Sequence, residues 1–383
     1  MNLIRPLHHD PRRPCTTPGD TAARRPALFF GAALVSALAT VLSATPAVAQ
    51  ITHNAPSKYG TTFYFFNQYE SLPSTTIYTP TLTWHRHDQA WWNTIVQRAR
   101  NANIGWFAVN AWGQNISNGT DPGGVDPQDG IPWMTKLITA INAADTTTLK
   151  VALFDDTTSE VMRKNRDKGR GEHVPGDSVC GSDPACFFDL SSSGVGGEGG
   201  WFYFYDQQWK RFFNAVPDQY RFKINGRPVV IMWHGGFEWY SNQSFFSDMI
   251  FTLKQATLND FGFEPYVIVT QSWIDLDPDA PVDAAYQWFN PGFNLTATKT
   301  TYNGVTIGHV IPGYDYHLGN PSSTVIDRNN GALYDSNLNF VSDSDLVFIE
   351  SINNVDENCH IIDTTNWGAR ELTTTLWYTT NRP

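Results

Sequence analysis

Six polar side chains crowd the end of one apolar run near the C-terminus. In "LVFIESINNVDENCHI" (Leu346–Ile361) five of the first seven residues are apolar, and Glu350, Asn353, Asn354, Asp356, Glu357 and His360 arrive within eleven positions. Burying so many polar groups is costly unless they are paired or used, so the stretch reads as a strand that delivers them to a site. Glu357 reads as an acid, because it follows a buried strand among amides and stands beside Asp356. Desolvation and a neighbouring like charge raise a carboxyl pKa toward neutrality.

Similar groups close the other apolar runs. Tyr64, Asn67 and Tyr69 belong to the first, Asn110 and Trp112 to the second, Asp155 and Asp156 to the third. Trp233, His234 and Glu238 follow the fourth, Gln271 and Trp273 the fifth, Trp288 and Asn290 the sixth, and Tyr314, Asp315 and Tyr316 the seventh. Hydrolysis of a glycosidic bond uses such a set: one carboxylic acid protonates the leaving oxygen, a second carboxylate acts as base or nucleophile, and aromatic faces and amides hold the ring. Asp155 or Asp156 is the expected second carboxylate. Alternation lets one of two consecutive strand residues point inward, and Asp156 reads as the one at the loop edge. Glu350 and Glu238 are reserves, and Glu350 reads equally as a barrel-interior residue paired to a cation. Trp233 and His234 are expected to meet a ring face and sugar hydroxyls; Tyr64, Asn353, Asn354 and Asp356 complete the expected binding set.

Other chemistries lack their signatures. The sequence has no G-x-S-x-G elbow, no H-E-x-x-H and no phosphate-binding glycine loop. His85 and His87 form an H-x-H pair without a nearby third ligand, and the segment from Asp275 lacks the glycine and glutamate of a calcium loop. No metal or other cofactor is expected.

Eight short apolar runs carry these groups: 61–69, 104–112, 149–156, 227–234, 264–273, 283–290, 307–316 and 345–353. Near-continuous apolar strands imply a parallel sheet covered on both faces. Helical patterns separate several of them, notably 88–103 with Trp91, Trp92, Ile95, Val96 and Ala99 on one stripe, then 131–144, 205–216 and 243–262. The links after the fifth, sixth and seventh runs read as loops or short helices. The pattern predicts an α/β fold, a single-domain (β/α)8 TIM barrel over residues 50–383, rather than an open doubly wound sheet. Residues 157–200 form a long insertion after strand three, read as a flap over the barrel mouth. Within it, Cys180 and Cys186 enclose "CGSDPAC" and read as a local disulfide, leaving Cys359 free and buried.

Residues 1–49 read as a secretory signal: Arg24 and Arg25, an apolar run, then an A-x-A-type site with cleavage after Ala49. The chain is expected to be secreted or periplasmic, with no membrane association after cleavage. Five arginines against two aspartates make that leader +3 of a net −11, so the remainder is near −14. An acidic chain without basic runs argues against nucleic acid and anionic membranes. The four sequons, at Asn115, Asn118, Asn242 and Asn294, read as ordinary polar loop residues.

"SINNVDENCHI" also resembles S-[FW]-N-E-W-x-E-G-T-x-I, a motif of glycoside hydrolase family 99, the endo-α-mannosidase-like barrels, and related domains of unassigned function. "TFYFFNQY" is similar to their aromatic first strand, "ANIGWFAVNAWG" to their second and "INGRPVVIMW" to their fourth. The resemblance implies a (β/α)8 glycosidase whose general acid/base falls on Glu357. The family's other glutamate, the base, falls on Asn354, and the aromatic after it on Val355; an amide does not accept a proton at useful pH. The sequence therefore reads as an exported glycoside hydrolase, a monomer acting on a polysaccharide or glycan. The alternative is a carbohydrate-binding barrel that has lost catalysis.

Overall fold

The computed structural model describes residues 51–65, 76–82, 88–110, 131–144, 149–171, 173–191, 203–234 and 239–383. Its frame is eight parallel strands paired in chain order: β1 Tyr59–Tyr64, β2 Trp106–Asn110, β3 Lys150–Asp156, β4 Arg227–Trp233, β5 Tyr266–Thr270, β6 Ala284–Tyr286, β7 Val305–Val310 and β8 Leu346–Ile349. Strand β8 returns to pair with β1, with Tyr59 opposite Val347 and Thr61 opposite Ile349. The seam between β6 and β7 carries no ladder. There an extra strand, Ala297–Tyr302, runs antiparallel to β7. The result is a nearly closed (β/α)8 barrel, and residues 50–383 form one compact unit.

The helices lie where the apolar stripes put them. Helix α1 (Gln89–Asn101) starts at Asp88, whose side chain accepts from the Ala90 amide at 2.8 Å, and it buries all five residues of its predicted stripe. Helix α2 is Met134–Ala144, after one 3-10 turn at Ile131–Trp133. Helix α3 (Thr157–Asp167) follows β3 directly, and α4 (Lys210–Ala215) continues a π-helical turn at Tyr203–Trp209. Helix α5 (Phe246–Phe261) stops at Gly262, where a φ of 77° favours glycine. The link after β5 is the six-residue helix α6 (Gln271–Leu276), and after β6 it is the antiparallel strand. After β7 a full ten-residue helix forms, α7 (Ala332–Val341), where the sequence read as a loop or a short helix. Helix α8 (Arg370–Asn381) ends the fold.

The insertion after β3 is likewise less loop-like than predicted. It opens with α3, whose buried Lys164 donates to the carbonyls of Ala185 (2.8 Å) and Phe187 (2.5 Å). Asn165, also buried, donates to His173 O and Cys186 O. A two-residue strand, Phe188–Asp189, pairs with Tyr240–Ser241 after β4. The predicted Cys180–Cys186 disulfide is present, with Cα atoms 5.9 Å apart, and Cys359 is free and buried. Of the sequons, Asn242 and Asn294 sit in left-handed turns and Asn115 and Asn118 lie outside the described residues.

Alternation along the strands divides the core in two. Positions such as Phe63, Val109 and Leu153 face the helices, whereas Trp106, Phe154, Ile231, Tyr286 and Phe348 fill the barrel. Trp106 stacks on Phe222 (4.7 Å, 4° between planes) and on Phe348 (5.5 Å), which plugs the N-terminal end of the barrel. Gly60 is required beside it, since a Cβ there would lie 2.0 Å from the Trp106 ring. Burying one such phenylalanine contributes about 1.5–3 kcal/mol. Apolar residues fill the interior from below, so the polar inward positions are confined to the C-terminal mouth.

Closing a loop as short as the Cys180–Cys186 ring gains about 2 kcal/mol in the chain-entropy picture. The double variant Cys180→Ser, Cys186→Ser should lose about that much in urea titration. It should also expose the 173–191 segment to proteolysis before the barrel is cut.

Candidate active site

The inward positions at the C-terminal strand ends are Thr62 and Tyr64, Asn110, Asp156, Trp233, Thr270, Tyr286 with Trp288 beyond it, His309 and Glu350. Asp156 caps α3: its Oδ1 accepts from the Ser159 amide (3.2 Å) and its Oδ2 from Ser159 Oγ (2.7 Å) and Asn110 Nδ2 (3.4 Å). Burial raises its pKa, opposed by those bonds and by Arg163. Asp155, one residue earlier, faces the helices. It is fully buried, its Oδ2 accepts from Trp209 Nε1 at 2.8 Å, and desolvation with Glu160 nearby pushes its pKa well up. The two adjacent aspartates thus lie on opposite sides of the sheet, with Asp156, the one the sequence reading put at the loop edge, facing inward and Asp155 not reaching the mouth.

Glu350, immediately after β8, is fully buried. Thr62 Oγ1 donates to its Oε2, the Tyr64 hydroxyl bonds it, and Asn354 Nδ2 donates to its Oε1 at 3.3 Å. These partners are hydroxyls and an amide, not the cation that one sequence reading expected. Burial pushes its pKa up to about 8. Glu357 is partly exposed on the loop that follows. Its Oε2 accepts from the same Asn354 Nδ2 at 2.8 Å, and Tyr314 OH lies 3.5 Å from its Oε1. Desolvation pushes its carboxyl up to about 7, with further upward contributions from Asp356 and Asp156. Asn354 therefore stands between the two glutamates and donates to both.

The loop carrying Glu357 is tied down from three sides. Asn353 clamps the end of β1: its Oδ1 accepts from Tyr64 N (2.9 Å) and its Nδ2 donates to Tyr64 O (2.8 Å). Asn358, in a left-handed turn, accepts from the amides of Ile77 and Tyr78 and donates to Asp315 O (2.7 Å). Arg328, fully buried between the rings of Tyr78 (4.6 Å) and Trp367 (5.3 Å), donates to Asn358 O (2.7 Å) and Glu371 Oε1 (3.1 Å). Asp315 contributes its backbone, donating to Glu357 O at 2.9 Å, while its carboxylate accepts from His317.

Several predicted binding residues belong elsewhere. Trp273 is fully buried in α6, stacked on Phe246 at 4.3 Å, and is no sugar platform. His234 also points to the helix layer, bonded to Ser272 Oγ (2.5 Å) and held near pKa 3 by burial. Gln271 bonds Asp275 within α6. The corrections of Gln271 and Trp273 share one cause: β5 ends at Thr270 and passes at once into a helix, so its ligand-facing end is earlier than the apolar run suggested; His234 is one position past the inward-facing Trp233 of β4. Asn353 is a backbone clamp rather than a ligand group. Trp112, Glu238, Asn67, Tyr69, His85 and His87 lie outside the described residues. Trp233 and Trp288 do share the mouth, partly exposed, with rings 5.7 Å apart. Asp356 is partly exposed beside Glu357.

The sequence reading missed Thr62, Thr270, Tyr286 and His309. Each lies three to seven positions before the end of its predicted run, because the strands end earlier than the apolar runs suggested, at Tyr64, Thr270, Tyr286 and Val310. Tyr286 Oη, Thr270 Oγ1 and Asn110 Oδ1 are buried without a hydrogen-bond partner, as are both ring nitrogens of His309. Among the described residues no group of three His, Cys, Asp or Glu side chains is placed to hold a metal ion, and no helix is long and apolar enough to cross a membrane.

The family described as "Domain of unknown function (DUF5010)" matches residues 41–373. No curated protein matches the chain. Two solved structures of the GH99 endo-α-mannosidase from Bacteroides thetaiotaomicron, one in complex with Bis-Tris propane, align with TM-scores of 0.53 and 0.51 at 15% and 14% identity. Both alignments cover 85% of this chain and 98% of that one. A protein described as glycoside hydrolase-like aligns with a TM-score of 0.53 at 15% identity, over 85% of this chain and 94% of its own. The family 99 resemblance read from the motifs is thus met by the fold.

Two variants test this geometry. Asn353→Ala removes both bonds to the Tyr64 backbone and should cost about 2–4 kcal/mol in denaturant unfolding. Glu350 has a folded pKa of about 8 against 4.5, so between those values the folded state holds a proton that the unfolded state has lost. Its stabilisation is complete below pH 4.5 and is lost as pH rises through 8, a change of up to roughly 5 kcal/mol. Glu350→Gln, neutral throughout, should flatten that slope when unfolding midpoints at pH 5 and pH 8 are compared.

Proposed function

The chain belongs to the DUF5010 family of domains of unknown function, and from its barrel and the chemistry of its mouth we propose that it is an exported glycoside hydrolase cleaving O-glycosidic bonds of a polysaccharide or glycan. The observation that carries the reading is Glu357. It is a partly exposed carboxyl at the C-terminal mouth, pushed up to about 7, within electrostatic reach of a second inward carboxylate, Asp156. An acid that is half protonated near neutrality suits donation to a leaving glycosidic oxygen.

Glu357 is the general acid. Asp156 is the second carboxylate: burial raises its pKa, the bonds from Ser159 and Asn110 and the charge of Arg163 oppose that rise, and it either activates water or attacks the anomeric carbon. Glu350 is a positioning residue: fully enclosed and protonated at neutral pH, it has no open path to a sugar. Trp233 and Trp288 offer faces to the C–H side of the ring. Export rests on the leader-like residues 1–49 and agrees with the disulfide.

Asn354 favours a second reading. Where the family motif has a base, this chain has an amide already bonded to both glutamates, as in a binding barrel that has given up hydrolysis. One assay separates the two, measuring reducing ends released from bacterial, fungal and plant glycans beside retention of the same glycans on an array. Release by the wild type, reduced at least about 10²-fold in both Glu357→Gln and Asp156→Asn, supports the hydrolase; retention without release supports the binding barrel. In the first case kcat/KM should fall about tenfold per pH unit above 7, as Glu357 loses its proton. Undiminished release by Glu357→Gln would remove the acid assignment.

A further inference from the structure

Asn354 stands where the family motif has a base, yet its contacts to the carboxyls are those of a donor. Its side-chain nitrogen carries both amide hydrogens. Nδ2 lies 3.3 Å from Glu350 Oε1 and 2.8 Å from Glu357 Oε2 and donates to both. Its Oδ1 accepts from the Glu357 amide at 3.4 Å, so turning the side chain over would set Nδ2 against that N–H. The backbone is fixed as well: Asn354 N donates to Ser351 Oγ at 2.6 Å, and Asn354 O accepts from Cys359 N at 3.2 Å. Asn354 is buried, whereas Glu357 is partly exposed.

A carboxylic acid accepts through its carbonyl oxygen and donates through the other. With Oε2 receiving an N–H, the proton of Glu357 belongs on Oε1. Oε1 is faced by Tyr314 OH at 3.5 Å, a long contact that yields to an incoming oxygen. When Oε1 passes its proton to the glycosidic oxygen, the bond from that oxygen to the anomeric carbon breaks, its electron pair stays on the leaving oxygen, and Glu357 becomes a carboxylate. A hydrogen bond to a charged acceptor is roughly twice as strong as one to a neutral acceptor. The Asn354 bond therefore tightens as the charge develops, and a contact that is stronger in the transition state speeds the step. The ionisable groups around Glu357 are Asp356, Asp156, Glu350 and Cys359, with the phenols of Tyr64, Tyr314 and Tyr316. None of these is a cation. Of the hydrogen bonds that favour the carboxylate, that of Asn354 acts ahead of that of Tyr314.

We propose that Asn354 is a positioning residue for the acid: it holds Oε2 of Glu357 so that Oε1 presents the proton, and Glu350 anchors it in that orientation. The inference rests on the glycosidase reading above for the step it serves, whereas the bond itself does not. It gives the amide a use in hydrolysis, with Asp156 as the other carboxylate.

The test compares Asn354→Ala, Asn354→Leu and Asn354→Glu with the wild type as full chains. Glu357 is titrated by infrared spectroscopy of isotope-labelled carboxyls, its band identified by loss in Glu357→Gln, and reducing-end release from bacterial, fungal and plant glycans is followed over pH. Removing the donor should move the Glu357 titration up from about 7 by about one pH unit. A residue that only held the loop in place would, when removed, expose Glu357 and bring its titration down toward the ordinary 4.5. On a glycan that is released, kcat should fall at least about tenfold with KM within about twofold of the wild type, and the alkaline limb of the pH profile should move up with the titration. Asn354→Leu fills the space of the amide without its donor and should behave as Asn354→Ala does. Asn354→Glu, which restores the motif's carboxylate, should release less than the wild type. In the wild type the carbonyl band of protonated Glu357 should lie at the lower frequency of a hydrogen-bonded carbonyl, a measurement that depends on no positioning variant folding. An unmoved or lowered titration, an unbonded carbonyl band in the wild type, or greater release by Asn354→Glu overturns the inference. If the wild type releases nothing from any glycan, the hydrolase reading fails and the titration alone decides this one. A lowered titration in variants of a wild type that does release sugar overturns this inference and keeps the hydrolase.

Discussion

Everything at the mouth depends on the pairing of the last strand with the first. Three registered residue pairs join β8 to β1, and Asn353 extends the junction past the end of the ladder by gripping the Tyr64 backbone at both its amide and its carbonyl. That junction sets Glu350 against Thr62 and Tyr64, and it turns the following loop so that Glu357 faces the same opening as Asp156, some 200 positions earlier in the chain. A parallel pair cannot be closed by a tight turn. The contact therefore forms only when all the intervening β–α units have wound around, and the site is a property of the closed barrel rather than of any segment.

The carboxylates are then managed by short range devices of different kinds. Asp156 is offset by a helix cap, Glu350 by hydroxyls and by holding its proton, and Glu357 by Asn354 and by partial access to solvent. Asn354 links the last two, and a carboxylate at that position would crowd a third carboxyl group between them and remove the donor they share. The amide is thus consistent with the crowding around it, whichever of the two readings of the mouth holds. Below the polar layer, Trp106, Phe222, Phe348 and Phe154 fill the interior, so water and ligand are confined to one end.

Support for the loop comes from outside the barrel. Arg328 lies between two aromatic rings and holds Asn358 O while paired to Glu371 on α8. A guanidinium suits this place because its planar face stacks while its edge donates to two acceptors. The last helix, far from the chemistry in sequence pattern, thereby helps to fix the position of Glu357.

The sequence by itself determined the eight strands, their order, the stripe of α1, the stop of α5 at Gly262 and the Cys180–Cys186 bridge. Each rests on local signals: apolar runs, helical spacing, a glycine at a left-handed cap, two cysteines across a short loop. It also singled out Glu357 and, of Asp155 and Asp156, favoured Asp156 for its place at the loop edge. Only the tertiary structure set the phase that turns Asp156 inward and Asp155 to the helices, because adjacent strand residues point to opposite sides and the phase of alternation is fixed by where a strand ends. The same one-residue phase sent His234 to the mouth on paper and to the helix layer in fact, and strands that end earlier than their apolar runs misplaced Trp273 and hid Thr270, Tyr286 and His309. Arg328, the Asn353 clamp and the two hydrogen bonds that Asn354 donates to Glu350 and Glu357 are contacts made by folding the loop after β8 back on itself and by closing the barrel. A linear pattern carries no record of which buried polar group will meet which.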